Sequence, residues 1–237
     1  MLGGYPLPAA VGFFDQAVQI VRDHGGYNVD LDTVIMTKYS ACRAQHHLFE
    51  KVLTSHPDIV VLQFGSTDAG APLRRGIGVR WIASKTGIFK PVRVSNHSPE
   101  FKHLVKWWLW GLASDVLQVK PRSSLNDFLA ANENMVEQCL TAGSAIVVLS
   151  PLVMGFSRSN RFARIYSEAL GERLAGRPGC YFVNAHAVLS RVSNRHVMLF
   201  DGFHLSACGH KLLSKALGDV LLDAVSRLPR PSQTVSA

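Results

Sequence analysis

Asp201 and His204 stand three positions apart near the end of the chain, in the run Asp201-Gly202-Phe203-His204-Leu205-Ser206. A Gly-His pair, Gly209-His210, and a long apolar segment follow. A carboxylate and an imidazole at this spacing, on the approach to a helix, suit a general base and the group that orients it. The Asp would fix the imidazole tautomer and stabilise the imidazolium formed when the His takes a proton. A base of this kind serves a nucleophile, and no serine or cysteine stands out as one. Ser40, Ser66, Ser206 and Cys42 each have a plainer reading as turn or packing residues. Asp-x-x-His is short enough to arise by chance, so its place in the chain decides its weight.

Other arrangements carry less. His46-His47 looks like a metal pair, but neighbouring residues on a helix point in different directions, so a solvated helix face is the simpler reading. Gly76-Ile-Gly78 has no strand-to-helix setting and does not read as a phosphate cradle. Cys42, Cys139, Cys180 and Cys208 are scattered without zinc or redox spacing and read as free thiols, mostly buried. No metal or cofactor is implied. The longest apolar stretch, Leu104 to Leu117, is interrupted by Lys106 and Asp115 and falls short of the roughly 20 residues a membrane helix needs. Met1-Leu2-Gly3-Gly4-Tyr5 has neither the basic nor the apolar stretch of a signal peptide. The chain as written reads as cytoplasmic, and a segment ahead of it that held a signal peptide would open secretion as a reading.

The elements that must position these residues alternate. Val11 to Asp23 has helical apolar spacing and stops at Gly25-Gly26. Thr33 to Thr37 reads as a short buried strand, and Ala41 to Ser55 as a helix with Leu48, Val52 and Leu53 turned inward. Asp58 to Phe64 is the clearest strand: β-branched, continuous and bounded by Pro57 and Gly65. Leu125 to Ala142 reads as a helix capped by Ser123 or Ser124. Ala145 to Ser150 is a strand, Arg161 to Ala175 a helix, Tyr181 to Asn184 a strand, Cys208 to Leu228 a closing helix and Pro229 to Ala237 a frayed tail. This alternation predicts a parallel sheet with helices on both faces, in one domain over 1–237. Ligands of such sheets bind beyond the carboxyl ends of the strands. Ser40-Ala41, Gly65-Ser66-Thr67-Asp68 and the Asp201–His204 loop all fall at or near that edge.

In that order, these three segments resemble the SGNH (GDSL-type) hydrolases, a family of esterases, lipases and carbohydrate deacetylases with a flavodoxin-like sheet. Asp201, His204, Gly209 and His210 match the family's last block. Gly65-Ser66-Thr67-Asp68 matches the Gly-x-Asn-Asp block, with Thr67 in place of the oxyanion-hole Asn. Ser40-Ala41 stands at the Ser-Gly-like turn, with Ala41 in place of Gly. The Gly-Asp-Ser block that carries the nucleophile is absent. Gly4-Tyr5-Pro6 looks like its continuation, which would put the missing serine, and the first strand, ahead of Met1. The resemblance implies a three-layer α/β/α flavodoxin-like fold of SGNH-hydrolase type without its first strand. It also implies His204 as base, Asp201 as orienter, the Ala41 N–H and the Thr67 hydroxyl as the remaining oxyanion donors, and Gly65 and Asp68 as motif support. It requires no cofactor.

Charge is concentrated. From Ala71 to Arg122 there are ten basic and two acidic residues, and the difference, eight, equals the net charge of the whole chain. Trp107, Trp108 and Trp110 stand among these cations. This segment, about 71–122, reads as a core-packing helix with a cationic face, as a lid over the site, or as a surface for an anionic ligand. Nucleic acid is disfavoured because no binding motif accompanies the charge. The chain therefore reads as an ester hydrolase for an O-acetyl or short acyl group on a small molecule or carbohydrate, inactive as written if the nucleophile block is absent. The alternative is a non-catalytic carbohydrate- or anion-binding protein on the same fold.

Overall fold

The computed structural model describes residues 12–34, 36, 39–70, 109, 113, 116, 118–155, 157–199 and 204–228. Asp201, the Gly4-Tyr5-Pro6 run, the basic segment up to 117 apart from three positions, and the tail from Pro229 lie outside the described residues. In chain order the described helices are α1 (Phe13–Gly25), α2 (Ala41–Ala44), α3 (Leu48–Lys51), α4 (Ser66–Ala69), α5 (Leu125–Thr141), α6 (Ser157–Leu174), α7 (Ala185–Leu189), α8 (Asn194–Val197) and α9 (Ala207–Ser226). The strands are β1 (Ile59–Gln63), β2 (Ala145–Leu149) and β3 (Cys180–Val183).

The three strands lie side by side in that order, all parallel, with Ile59 opposite Ala145 and Ile146 opposite Cys180. Side chains alternate across a strand. Val60, Leu62, Ile146 and Val148 therefore enter one core, with Phe128 and Met135 of α5 and Leu170 of α6. Val147, Leu149 and Val183 enter the other, with Phe13 and Val21 of α1 and Leu213, Leu217 and Leu221 of α9. Both sheet faces are covered, which explains why β1 and β2 read as unbroken apolar runs rather than alternating ones. The result is the three-layer α/β/α arrangement expected from the alternation of strands and helices.

Helices α1 and α9 run parallel and in step. The Phe13 N–H meets His210, Ser214 donates to Gln16 at 3.2 Å, Ile20 packs on Gly218, and Gly25 lies beside Leu222. The close approach depends on Gly218, where a Cβ would stand 3.0–3.1 Å from three Ile20 atoms. Gly26, with φ 62°, ends α1 in the left-handed conformation that favours glycine.

Two expectations are corrected. The described residues Thr33, Val34 and Met36 belong to no strand, and Thr33 is exposed. A strand has no hydrogen bonds of its own, and among the described residues none pairs with this segment. The predicted helix from Ala41 to Ser55 is broken into α2, α3 and a 3₁₀ turn at Leu53–Ser55. The break falls at Gln45–His47, where the His47 ring stacks on that of Tyr39 at 5.6 Å and the Arg43 guanidinium lies over the Tyr39 ring at 4.2 Å. Leu48 and Leu53 still turn inward, because each short piece keeps its apolar side on the core.

Replacing Gly218 with Leu is expected to destabilise the protein by about 1–3 kcal/mol, since a wedge at this crossing forces α1 away from α9. Urea unfolding of wild type and variant checks this, and an unchanged midpoint would show that the helix pair can slide apart freely.

Candidate active site

The carboxyl end of β1 leads through Phe64 into Gly65, whose φ of 107° is open to glycine and strained for other residues. A Cβ here would also stand 2.3 Å from Cγ of Pro151, two positions past the end of β2. Two constraints thus select the glycine: the turn needs positive φ, and the next crossover lies against its α-carbon. The turn delivers Ser66, Thr67 and Asp68 onto α4. Ser66 Oγ accepts the Leu152 N–H at 3.4 Å, which ties α4 to the segment after β2. Thr67 is half-buried on the same turn.

Asp68 is completely buried. Its Oδ2 accepts the Ala41 N–H at 3.0 Å, and its Oδ1 accepts the Ser123 hydroxyl at 2.6 Å. Its backbone carbonyl accepts the N–H groups of Arg122 at 2.9 Å and Ser123 at 3.3 Å. One residue therefore joins the start of α2, the end of β1 and the approach to α5. Burial pushes its carboxyl above the usual range, and the bonds from Ser123 and Ala41 pull the other way by favouring the ionised form.

The Ala41 amide departs from its expected role. It was expected to face an oxyanion; its N–H instead donates to Asp68, and one N–H makes one well-aligned bond. Ser40 caps α2 by accepting the Arg43 N–H, and Cys42 donates to the Asp127 carbonyl at 3.5 Å. Burial, followed by the nearby Asp68 charge, raises the Cys42 thiol, which disfavours the thiolate.

His204 is half-buried on the turn before α9. That turn is held at several points. Met198 and Leu205 pair in an antiparallel bridge, the Leu199 N–H donates to the His204 carbonyl at 2.7 Å, and the Ser206 N–H donates to the Val197 carbonyl at 2.9 Å. Ser206 caps α9 by accepting the Gly209 N–H at 3.2 Å, and its hydroxyl donates to the His196 carbonyl. Gly209 lies so close to this turn that a Cβ would stand 2.3 Å from the Val197 carbonyl oxygen. His210, on the next position, is 1% exposed and accepts the Phe13 N–H on Nδ1 at 3.0 Å. Burial pushes its pKa down to about 4.

The described geometry thus brings Ala41, Gly65, Thr67 and Asp68 into one cluster and puts His204 on a separate, tightly bonded turn. Asp201 is outside the described residues. Among the described residues no group of three His, Cys, Asp or Glu side chains could hold a metal ion, and no helix is long and apolar enough to cross a membrane.

Two features had not been foreseen. Ser124 caps α5, which leaves Ser123 for Asp68; Tyr166 then binds the Ser123 carbonyl at 2.7 Å. The signal was present as two adjacent serines where a helix needs one cap. The second is a buried network beyond β2 and β3. Asn160 Oδ1 accepts the Met154 N–H at 2.9 Å and lies 3.1 Å from His186 Nε2, while the His186 N–H donates to Ser150 Oγ at 3.2 Å. Burial lowers the His186 pKa. Nothing in the local sequence marks this set, because its members are 36 residues apart in the longest case.

No family model matches the chain, and no curated protein matches it. Solved structures do. The chain is similar to Axe2, an acetylxylan esterase from Geobacillus stearothermophilus, at 14% identity and a TM-score of 0.59, over 90% of this chain and 80% of that one. It is similar to a protein from Desulfitobacterium hafniense described as lipolytic and of the G-D-S-L family, at 13% identity and a TM-score of 0.56, over 92% and 93% of the two chains. A third likeness is to LAE5, an α/β hydrolase from the metagenome of Lake Arreo, at 14% identity and a TM-score of 0.58, over 96% and 88%. Variants of Axe2 called catalytic alter a serine, an aspartate and a histidine, the last two three positions apart. The likenesses establish the SGNH-type fold.

Asp68→Ala is expected to cost more stability than Asp68→Asn. Alanine strands the Ala41 N–H and the Ser123 hydroxyl, at about 1–3 kcal/mol for each buried group left unpaired, whereas an asparagine carbonyl still accepts from Ala41. Chemical denaturation of both variants measures the difference, and equal losses would remove the hydrogen bonds as its cause.

His210 sets an acid limit. Its folded pKa is depressed to about 4 from 6.5, so its contribution is fully present above pH 6.5 and is lost as pH falls toward 4. The full loss is on the order of 3 kcal/mol at about 1.4 kcal/mol per pH unit. His210→Gln keeps an acceptor for Phe13 and does not titrate. Melting temperatures across this window should therefore fall less steeply for the variant than for wild type, and parallel curves would assign the acid sensitivity elsewhere.

Proposed function

We propose that this chain is an SGNH-type ester hydrolase that removes O-acetyl or short acyl groups from a small-molecule or carbohydrate ester. On this reading His204 is the general base, Asp201 orients its ring, and the Thr67 hydroxyl donates toward the developing oxyanion. Asp68 holds the Thr67 turn without touching substrate, and Ala41 serves through its bond to Asp68. The nucleophile that this mechanism calls for is the serine of a Gly-Asp-Ser block, which the given sequence does not contain. Ser40 and Ser206 are engaged as helix caps and Ser66 accepts a backbone N–H, so none of the three is a ready alternative.

The observation that carries the proposal is the Asp68 cluster at the carboxyl end of β1, on a fold shared with an esterase whose catalytic Asp and His have the spacing of Asp201 and His204. A helix that packs back on a parallel sheet starts at the edge where the strands end, and this supports placing the His204 turn on the same edge as Thr67. The serine would attack the ester carbonyl and pass its proton to His204. The alcohol would leave with that proton, and water would release the acyl group by the same route. The acetylated xylan named for Axe2 suggests an acetylated oligosaccharide as the first natural substrate to try.

The test is hydrolysis of p-nitrophenyl acetate and of O-acetylated xylooligosaccharides by the chain as given and by the chain preceded by a strand ending in Gly-Asp-Ser. Turnover is expected to rise by about 10³-fold or more in the extended form, and to fall back on His204→Ala, because triad members act as a unit. Loss of Thr67 to Val should cost about 10²–10³-fold if its hydroxyl is an oxyanion donor. Extended-chain turnover that survives His204→Ala would sink the assignment of the base.

A further inference from the structure

We propose that His210 is a positioning residue for the base: its ring joins the first turn of α9 to the first residue of α1 and so holds the His204 turn in place. The proposal deepens the ester-hydrolase reading and rests on it for its meaning in catalysis.

Helix α1 begins without a cap of its own. Its N-cap residue is Gly12, which has no side chain to accept a bond, and the first N–H groups of any helix lack intrahelical partners. Phe13 is fully buried, so water does not satisfy its N–H. His210 supplies the acceptor from 197 residues away, at 3.0 Å. The rings of Phe13 and His210 also stack, with centroids 5.8 Å apart and planes inclined by 20°. A nitrogen that accepts cannot carry a proton, so the ring is neutral with its hydrogen on Nε2. Two helices begin at this point, and the positive ends of both dipoles favour a neutral ring over a charged one.

The His204 turn leads directly into the first turn of α9, which carries His210. Only six positions separate His204 from His210, and the bonds between them leave little slack. Ser206 is tied to Val197 and to Gly209, Leu199 is tied to His204, and Gly209 lies against the Val197 carbonyl. A force on the α9 end of this unit is therefore transmitted to the turn. Release of α1 from His210 removes the hydrogen bond between the first turns of α1 and α9, the α1–α9 contact nearest the His204 turn. A plain core residue at 210 would fill the space but could not accept the Phe13 N–H.

The test uses the full chain in three forms: wild type, His210→Phe and His210→Gln. Imidazole nitrogen NMR reads the tautomer of His210 and the ring-nitrogen resonances of His204, and amide exchange reads the Phe13 N–H. Wild type is expected to show His210 neutral with the hydrogen on Nε2. His210→Phe is expected to speed Phe13 exchange at least about tenfold, or roughly 1.4 kcal/mol of local protection, and to move the His204 ring-nitrogen resonances. His210→Gln is expected to restore both. Wherever ester turnover is measured, the Phe variant should lose about tenfold in kcat with KM unchanged, and the Gln variant should recover it. A faster Phe13 amide with an unmoved His204 would reduce His210 to a local helix cap and overturn the proposal. A proton on Nδ1 in wild type, or failure of the Gln variant to restore the Phe13 amide, would overturn it too. Should the Phe variant not fold, the wild-type tautomer and the Gln variant still decide. Absence of turnover in every form, even when each is preceded by a strand ending in Gly-Asp-Ser, would fail the hydrolase reading alone, and the NMR comparison would still judge the link between His210 and His204.

Discussion

The buried carboxylate of Asp68 draws its two hydrogen-bond donors from 27 residues before it and 55 residues after it. Removing a carboxylate from water is costly unless its oxygens are satisfied. Here both are, by a backbone amide and a hydroxyl that have no other obvious reason to meet. The turn after β1, the start of α2 and the approach to α5 are thereby held at one point. Thr67 gains its fixed place from that arrangement, because it shares the short α4 turn with Asp68. Gly65 completes the constraint from beneath, where its missing Cβ gives room to Pro151.

A second, independent polar contact lies between helices α1 and α9. Helices α1 and α9 start side by side, with the His210 ring between them, and stay in step as far as Gly25 and Leu222. Each anchor is a polar contact set inside an apolar layer, and the layers differ. Asp68 sits beside the core formed with α5 and α6, and His210 beside the core formed with α1 and α9. The sheet separates them, so the elements carrying Thr67 and His204 are built on opposite faces and can meet only where the strands end. Ligands of open parallel sheets bind at such an edge, beyond the carboxyl ends of the strands.

The two anchors respond oppositely to acid. Burial raises the Asp68 carboxyl, so protonation there relieves a desolvation cost, whereas protonation of His210 breaks its bond to Phe13. As pH falls, the α1–α9 side therefore weakens while the Asp68 side is less affected. The Phe13 amide depends wholly on the neutral ring, which makes His210 the more sensitive of the two.

The sequence by itself determined the strands and helices whose signal is local. Val60 to Leu62 and Ile146 to Leu149 could only be buried on both faces, since no polar residue interrupts them, and the amphipathic spacing of α1 and α9 left one side for the core. Gly65, Thr67 and Asp68 could be picked out because their order and setting resemble a known block. What only the tertiary structure decided was which partner each group takes. Ala41 donates to Asp68 rather than outward, Ser123 serves Asp68 while Ser124 caps α5, and His210 caps a helix from the far end of the chain. The segment at Thr33 to Thr37 has the composition of a strand, yet its described residues have none of a strand's pairing. In each case the choice rests on hydrogen bonds between residues distant in sequence. A residue's type states what it can donate or accept, and only the packed chain states who is within 3 Å of it.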